Sequence, residues 1–84
     1  MNSAAPRDWK ASYLALTALL MRRREDLEIS QQDLAGQLSV SRRTLQRWEH
    51  GDSETPAMRL FQWAARLGVT IAPDVAHFKE GKAA

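Results

Sequence analysis

The most informative segment of this chain spans residues 41–51 and carries basic and amide side chains at helical spacing. Ser41 is a favoured N-cap residue and Gly51 a favoured residue just past a helix end, so the segment predicts one short helix. Leu45 and Trp48 lie three positions apart and share a face, which we expect to point into the core. The remaining surface carries the side chains of Arg42, Arg43, Gln46 and Arg47.

These four side chains have the chemistry of base recognition. An arginine donates two hydrogen bonds to O6 and N7 of guanine, and a glutamine pairs in the same bidentate way with N6 and N7 of adenine. The major groove of DNA is wide enough to admit an α-helix. The segment therefore predicts a helix that contacts base edges in that groove.

Composition narrows the class of protein. The 84 residues predict one small domain with a modest core, which gains stability from self-association. The net charge of +2 is compatible with binding a polyanion but does not require it. A second basic cluster, at residues 22–24, has an alternative interpretation as a solvated helix end, where cations interact favourably with the helix dipole.

The same composition argues against several functional classes. The absence of cysteine excludes a disulfide framework and a cysteine-type zinc site, and it fits the reducing cytoplasm. No stretch approaches the roughly 18 apolar residues that span a membrane, and no signal peptide is visible. The two histidines lie far apart, and no acid pair or glycine-rich loop has catalytic spacing. We therefore expect a cytoplasmic protein that is not an enzyme, with no catalytic residue, cofactor, metal or membrane partner.

Capping residues and apolar spacing predict one domain over residues 8–72. Asp8, Ser30 and Ser41 are expected N-caps of the first three helices. Thr55 is expected to cap a fourth helix in which Pro56 takes the first position. The predicted helices cover residues 8–26, 31–38, 42–50 and 56–67. Residues 1–7 are expected to form a disordered tail, and residues 73–84 a polar C-terminal tail.

Three short motifs share the spacing of one known family: Ser-Gln-x-x-Leu-Ala from Ser30, Val-Ser at residues 40–41, and Trp-Glu-x-Gly at residues 48–51. Over roughly residues 20–69 the chain resembles the Xre-like phage-repressor helix-turn-helix family. The resemblance implies an all-α, compact domain of four to five helices, similar to the lambda-repressor domain. It also implies a bacterial or phage-encoded transcriptional regulator that binds double-stranded DNA.

The resemblance assigns roles to individual residues. Base contacts are implied for Arg42, Arg43, Gln46 and Arg47. Phosphate contacts are implied for Gln31, Ser41, Thr44, His50 and Arg24. Arg24 is also expected to form a structural ion pair with Glu49, and Gln31 to brace the recognition helix. Thr44 has the alternative role of solvating the helix surface, and His50 that of a cation at a helix C-terminus.

The chain departs from the family pattern at Glu28 and Ser39, where family members often have glycine. Those positions commonly take a left-handed backbone conformation, which other residues adopt at some energetic cost. We therefore expect the turn to be present despite these two substitutions.

The resemblance also implies a twofold homodimer on an inverted-repeat operator. Residues 66–71 resemble the end of Hip-type antitoxins, in which a short strand pairs across the dimer axis, so Val69 and Ile71 are candidate dimer residues. Their alternative is to pack beneath the fourth helix. Phe61 and Trp63 cannot both be central on one helix face, and Trp63 is our candidate for the dimer surface.

Two classes of function stay open. One is a dimeric repressor of its own or a neighbouring operon, in a phage, plasmid, antitoxin or restriction-modification setting. The other is a helix-turn-helix adaptor, such as an antitoxin subunit that acts mainly by binding its toxin. Arginines at the reading positions favour the first, because protein-binding surfaces are depleted of charge at their centres.

Overall fold

The computed structural model describes residues 8–72, which form four α-helices. They are α1 (Trp9–Asp26), α2 (Gln31–Leu38), α3 (Arg42–His50) and α4 (Ala57–Arg66). No strand occurs within residues 8–72, so the expected all-α fold is confirmed for that part of the chain. The two predicted tails, residues 1–7 and 73–84, lie outside the described residues.

Side-chain caps explain where the first three helices begin. The Asp8 carboxylate accepts hydrogen bonds from two backbone amides of the first turn of α1. Ser30 Oγ accepts from the amide of Asp33 at 3.0 Å, and Ser41 Oγ accepts from the amide of Thr44 at 3.0 Å. These bonds satisfy amides that have no partner inside the helix.

The fourth helix begins differently from the sequence-based expectation. Pro56 is its N-cap residue and no side chain caps it, so the predicted capping role of Thr55 is wrong. The amide of Thr55 instead donates to Tyr13 Oη at 2.8 Å, and Tyr13 Oη donates to Thr55 Oγ1 at 3.1 Å. A tertiary partner on α1 has replaced the local one, and it holds the α3–α4 loop against α1.

Apolar faces of all four helices meet in one core. The buried apolar residues are Leu20, Leu34, Ala35, Leu38, Leu45, Trp48, Trp63, Ala64 and Leu67. The rings of Trp48 and Trp63 lie 6.1 Å apart and are tilted by 32°, so the two tryptophans join α3 to α4.

The burial of Trp63 corrects one expectation. Trp63 is 0% exposed, whereas Phe61 is 50% exposed. Two helix positions correspond to about 200° of rotation, so packing one of these rings in the core turns the other outward. The expectation that Trp63 lies at a dimer surface is therefore wrong, and Phe61 is the aromatic side chain that α4 presents to solvent.

Residues after α4 have no regular secondary structure as far as Ala72. The amide of Val69 donates to the carbonyl of Ala64 at 2.9 Å, which turns the chain back along the helix. Val69 and Ile71 are half-buried and pack against the core. Both residues stay partly accessible, so pairing of this segment with its copy across a dimer axis stays a prediction.

A residue in the left-handed conformation follows each of the first two helices. Glu28 has a φ of 59° and Ser39 a φ of 58°, at the two positions where the resemblance predicted this conformation. Ser39 ends α2, and its amide donates to the carbonyl of Gly36 at 3.1 Å. The turn between α2 and α3 therefore contains a non-glycine residue in a conformation that costs about 1–2 kcal/mol.

Gly51 is expected to be the least replaceable glycine among the described residues. Its φ is +75°, and a Cβ added there would lie 2.7 Å from Leu14 Cδ2. Leu14 Cδ2 is the end of a partly exposed side chain that can shift, so the left-handed φ dominates the cost. We expect Gly51→Ala to lower the free energy of unfolding by about 1–2 kcal/mol, measured by urea denaturation. Gly36→Ala is the matched control: no atom lies within 4 Å of its added Cβ, so alanine should stabilise α2 by about 0.4–1 kcal/mol. Equal effects of the two substitutions would contradict this account.

Candidate nucleic-acid interface

The candidate site is built from α2, α3 and the tight turn between them. The turn occupies residues 39–41, and Ser41 both ends it and caps α3. α3 packs against α2 and α1, and α2 also packs against α4. The second helix of the pair is therefore held from two sides, which leaves its remaining surface open.

The open surface of α3 carries the predicted base-contact residues. Leu45, Trp48 and Glu49 are buried and define the inward face of the helix. The four side chains predicted to contact bases are all exposed: Arg42, Arg43, Gln46 and Arg47. The structure thus places them together on the outward side of one short helix.

The exposed charges on this surface of α3 are predominantly positive. α3 contains three arginines and a single acid, Glu49, whose side chain is 0% exposed. The carboxylate is turned inward and paired, so it does not oppose the arginines at the surface. The exposed side of α3 is therefore cationic and rich in hydrogen-bond donors, as a surface that approaches phosphates and base edges must be.

Beneath that surface lies a buried ion-pair network. Arg24 Nε donates to Glu49 Oε2 at 2.6 Å, and Arg24 Nη2 donates to Glu49 Oε1 at 3.2 Å. The third guanidinium nitrogen, Nη1, donates to the carbonyl of Ile29 at 2.9 Å. Gln31 Nε2 completes the network by donating to Glu49 Oε1 at 2.9 Å. The network connects α1 and α2 to α3 through one carboxylate.

The family model described as helix-turn-helix matches residues 20–73, which is more than half of the chain. This chain belongs to the helix-turn-helix family. A search of curated proteins gave no match. Membership identifies the chain as a DNA-binding regulator in general terms.

The structure shows the expected ion pair of Arg24 with Glu49. Arg24 donates three of its five N–H groups to Glu49 and Ile29, and its side chain is 11% exposed. Nη1 and Nη2 each keep one hydrogen, so Arg24 stays among the candidate phosphate contacts as a prediction. Gln31 keeps its place there, because its amide nitrogen carries a second hydrogen and its residue begins α2.

Ser41, Thr44 and His50 lie at the two ends of the helix-turn-helix recognition segment. Ser41 Oγ donates to Thr44 Oγ1 at 2.9 Å while it caps the helix, so both hydroxyls are already hydrogen-bonded. His50 is exposed, and its Nδ1 lies 2.9 Å from the carbonyl of Gln46. A carbonyl only accepts, so Nδ1 must donate, and His50 Nε2 offers a proton to a phosphate only when the imidazole is charged.

Sequence reasoning missed two arginines that bind helix ends. Arg23 Nε donates to the carbonyl of Leu67, just after α4, at 3.0 Å. Arg59 Nη1, on α4, donates to the carbonyl of Leu38, the last residue of α2. Unpaired carbonyls are expected at every helix C-terminus, but the sequence does not say which distant arginine approaches them.

Among residues 8–72 there is no group of three or more side chains that could hold a metal ion. In the same part of the chain no helix is long and apolar enough to cross a membrane.

Proposed function

We propose that this protein is a dimeric transcriptional repressor that binds an inverted-repeat operator and inserts α3 of each protomer into the major groove. The observation that carries the proposal is the outward surface of α3, where guanidinium and amide groups are exposed together while the one acid of that helix is buried. A surface adapted to a protein partner would have fewer charges at its centre.

The proposed contacts follow from position on the helix. Arg42 and Arg43 lie in the first turn of α3, which enters the groove deepest in this docking mode. Gln46 and Arg47 lie one turn further on and reach base edges or the adjoining backbone. The N-terminus of α2, with Gln31, binds a phosphate on the flank.

Dimerisation supplies the specificity that one short helix lacks. A single recognition helix reads only a few base pairs, and twofold symmetry doubles the length of the site. We propose that the second protomer packs on two exposed apolar residues of α4, Met58 and Phe61, and on the half-buried Val69 and Ile71 of the segment after it. Pairing of the 69–71 segments as strands across the axis is part of this proposal.

Selection of duplexes from a random-sequence pool tests the proposal. We expect enrichment of inverted repeats whose half-site centres lie about 34–36 Å apart. Affinity for the enriched duplex should fall steeply with salt, because each neutralised phosphate contributes about −0.9 to the slope of log affinity against log salt. Enrichment of no sequence, or binding that ignores salt, would overturn the proposal and favour an adaptor that binds protein.

A further inference from the structure

The end of α2 is closed by three hydrogen bonds, and one of them comes from another helix. The amides of Ser39 and Val40 donate to the carbonyls of Gly36 and Ala35, at 3.1 and 3.0 Å. The carbonyl of Leu38, the last of α2, receives Arg59 Nη1 from α4. This last bond ties the beginning of the turn to a helix outside the helix-turn-helix pair.

Arg59 is well placed for such a role. Its side chain is half-buried, and Nη1 also donates to Gln62 Oε1 at 3.3 Å on the same helix. Arg59 lines a surface pocket of about 310 Å³ together with Ser39, the left-handed residue of the turn. A cation at a helix C-terminus also interacts favourably with the helix dipole.

We propose that Arg59 is a positioning residue for DNA reading, which sets the direction in which α3 leaves the turn. The inference rests on the proposed function. Only Ser39, Val40 and Ser41 separate the Leu38 carbonyl from the first turn of α3, where Arg42 and Arg43 lie. Hydrogen bonds to base edges require a recognition group to be held within about 0.5 Å of its productive position, whereas attraction to phosphates tolerates larger shifts.

A positioning role and a phosphate contact make opposite predictions. In the proposed role, Arg59 acts through the bonds of its Nη1 to the Leu38 carbonyl and to Gln62, and it contacts no phosphate. Its removal should then weaken binding to the operator more than binding to unrelated DNA. The salt dependence of binding should stay as it is, since no counterion release is lost.

The test compares Arg59→Met, Arg59→Lys and the control Arg66→Met in the full chain. Arg66 is exposed on the same helix and lines the same pocket. Affinities are measured for the selected operator and for a scrambled duplex over a range of salt. We expect Arg59→Met to lower operator affinity about tenfold with an unchanged salt slope, Arg59→Lys to restore part of the loss, and Arg66→Met to have little effect.

Three results would overturn the inference. Unchanged operator affinity in Arg59→Met would show that the bond positions nothing. An equal loss on both duplexes with a shallower salt slope would make Arg59 a phosphate contact. An equal loss of operator affinity in Arg66→Met would show that the effect comes from the loss of a positive charge and not from the bond to Leu38.

Amide hydrogen exchange at Val40 provides a readout that does not depend on DNA. If the bond from Arg59 fixes the turn, Arg59→Met should speed exchange of the Val40 amide about tenfold while the amides of α1 keep their rates. An unchanged Val40 rate would contradict the inference. Failure of the wild-type protein to prefer any duplex would instead overturn the proposed function. The exchange rate of Val40 would still show whether Arg59 holds the turn in place.

Discussion

Replacing Glu49 by alanine is expected to lower the free energy of unfolding by about 3–5 kcal/mol. The substitution leaves the guanidinium of Arg24 largely buried and deprives it of a carboxylate that lies 2.6 Å away. It also removes the partner of Gln31 Nε2. Because small domains are stable by only about 5–15 kcal/mol, urea and thermal denaturation should both show a large shift. Glu25→Ala, at an exposed position of α1, is the control and should change stability by less than about 0.5 kcal/mol.

A double-mutant cycle distinguishes a paired network from two independent losses. Arg24→Met combined with Glu49→Leu removes both charges and leaves neither one buried alone. We expect the double variant to lose less stability than the sum of the losses in the two single variants. Each single change leaves the other charged side chain buried without its partner. Additive losses would show that the two side chains do not depend on one another.

Arg43→Ala is expected to weaken operator binding by about 1–3 kcal/mol per half-site and to relax the preference at one base position in each half-site. Arg43 is exposed in the first turn of α3, so its guanidinium can reach O6 and N7 of one guanine together. Arg43→Lys should restore binding only in part, because lysine supplies the charge without the planar fork of donors.

The measurement for Arg43 is a series of affinities, at fixed salt, for operators substituted singly at each position. Arg22→Ala is the control, since Arg22 is exposed on α1 and should affect all operators alike if it contacts DNA at all. Should Arg43→Ala lower affinity equally for every operator, Arg43 would be a phosphate contact. Arg42, Gln46 or Arg47 would then be the residues that recognise bases.

Features that depend on neighbouring residues were predictable from the sequence. The first residues of α2 and α3 follow from the capping serines, since Ser30 and Ser41 each have an amide three residues ahead to bind. The inward placement of Leu45 and Trp48 follows from their helical spacing. The cluster of exposed arginines on α3 follows directly, because the face opposite a buried stripe is exposed.

Features that depend on distant partners were not predictable in the same way. Thr55 would cap α4 in isolation, but Tyr13 lies 42 residues earlier and binds both its amide and its hydroxyl. Which of Phe61 and Trp63 is buried depends on the rotation of α4 over Trp48. The contact of Arg59 with the end of α2 likewise exists only once α4 has packed on that helix.

Sequence-specific DNA binding through the exposed face of α3 is tested most directly by one ratio. It is the affinity of the protein for the selected operator divided by its affinity for a scrambled duplex of equal length and composition, at one salt concentration. We predict a ratio of about 10³ or more for the wild-type protein. A ratio near one for the wild-type protein, under conditions where it is folded and binds both duplexes, would contradict the account.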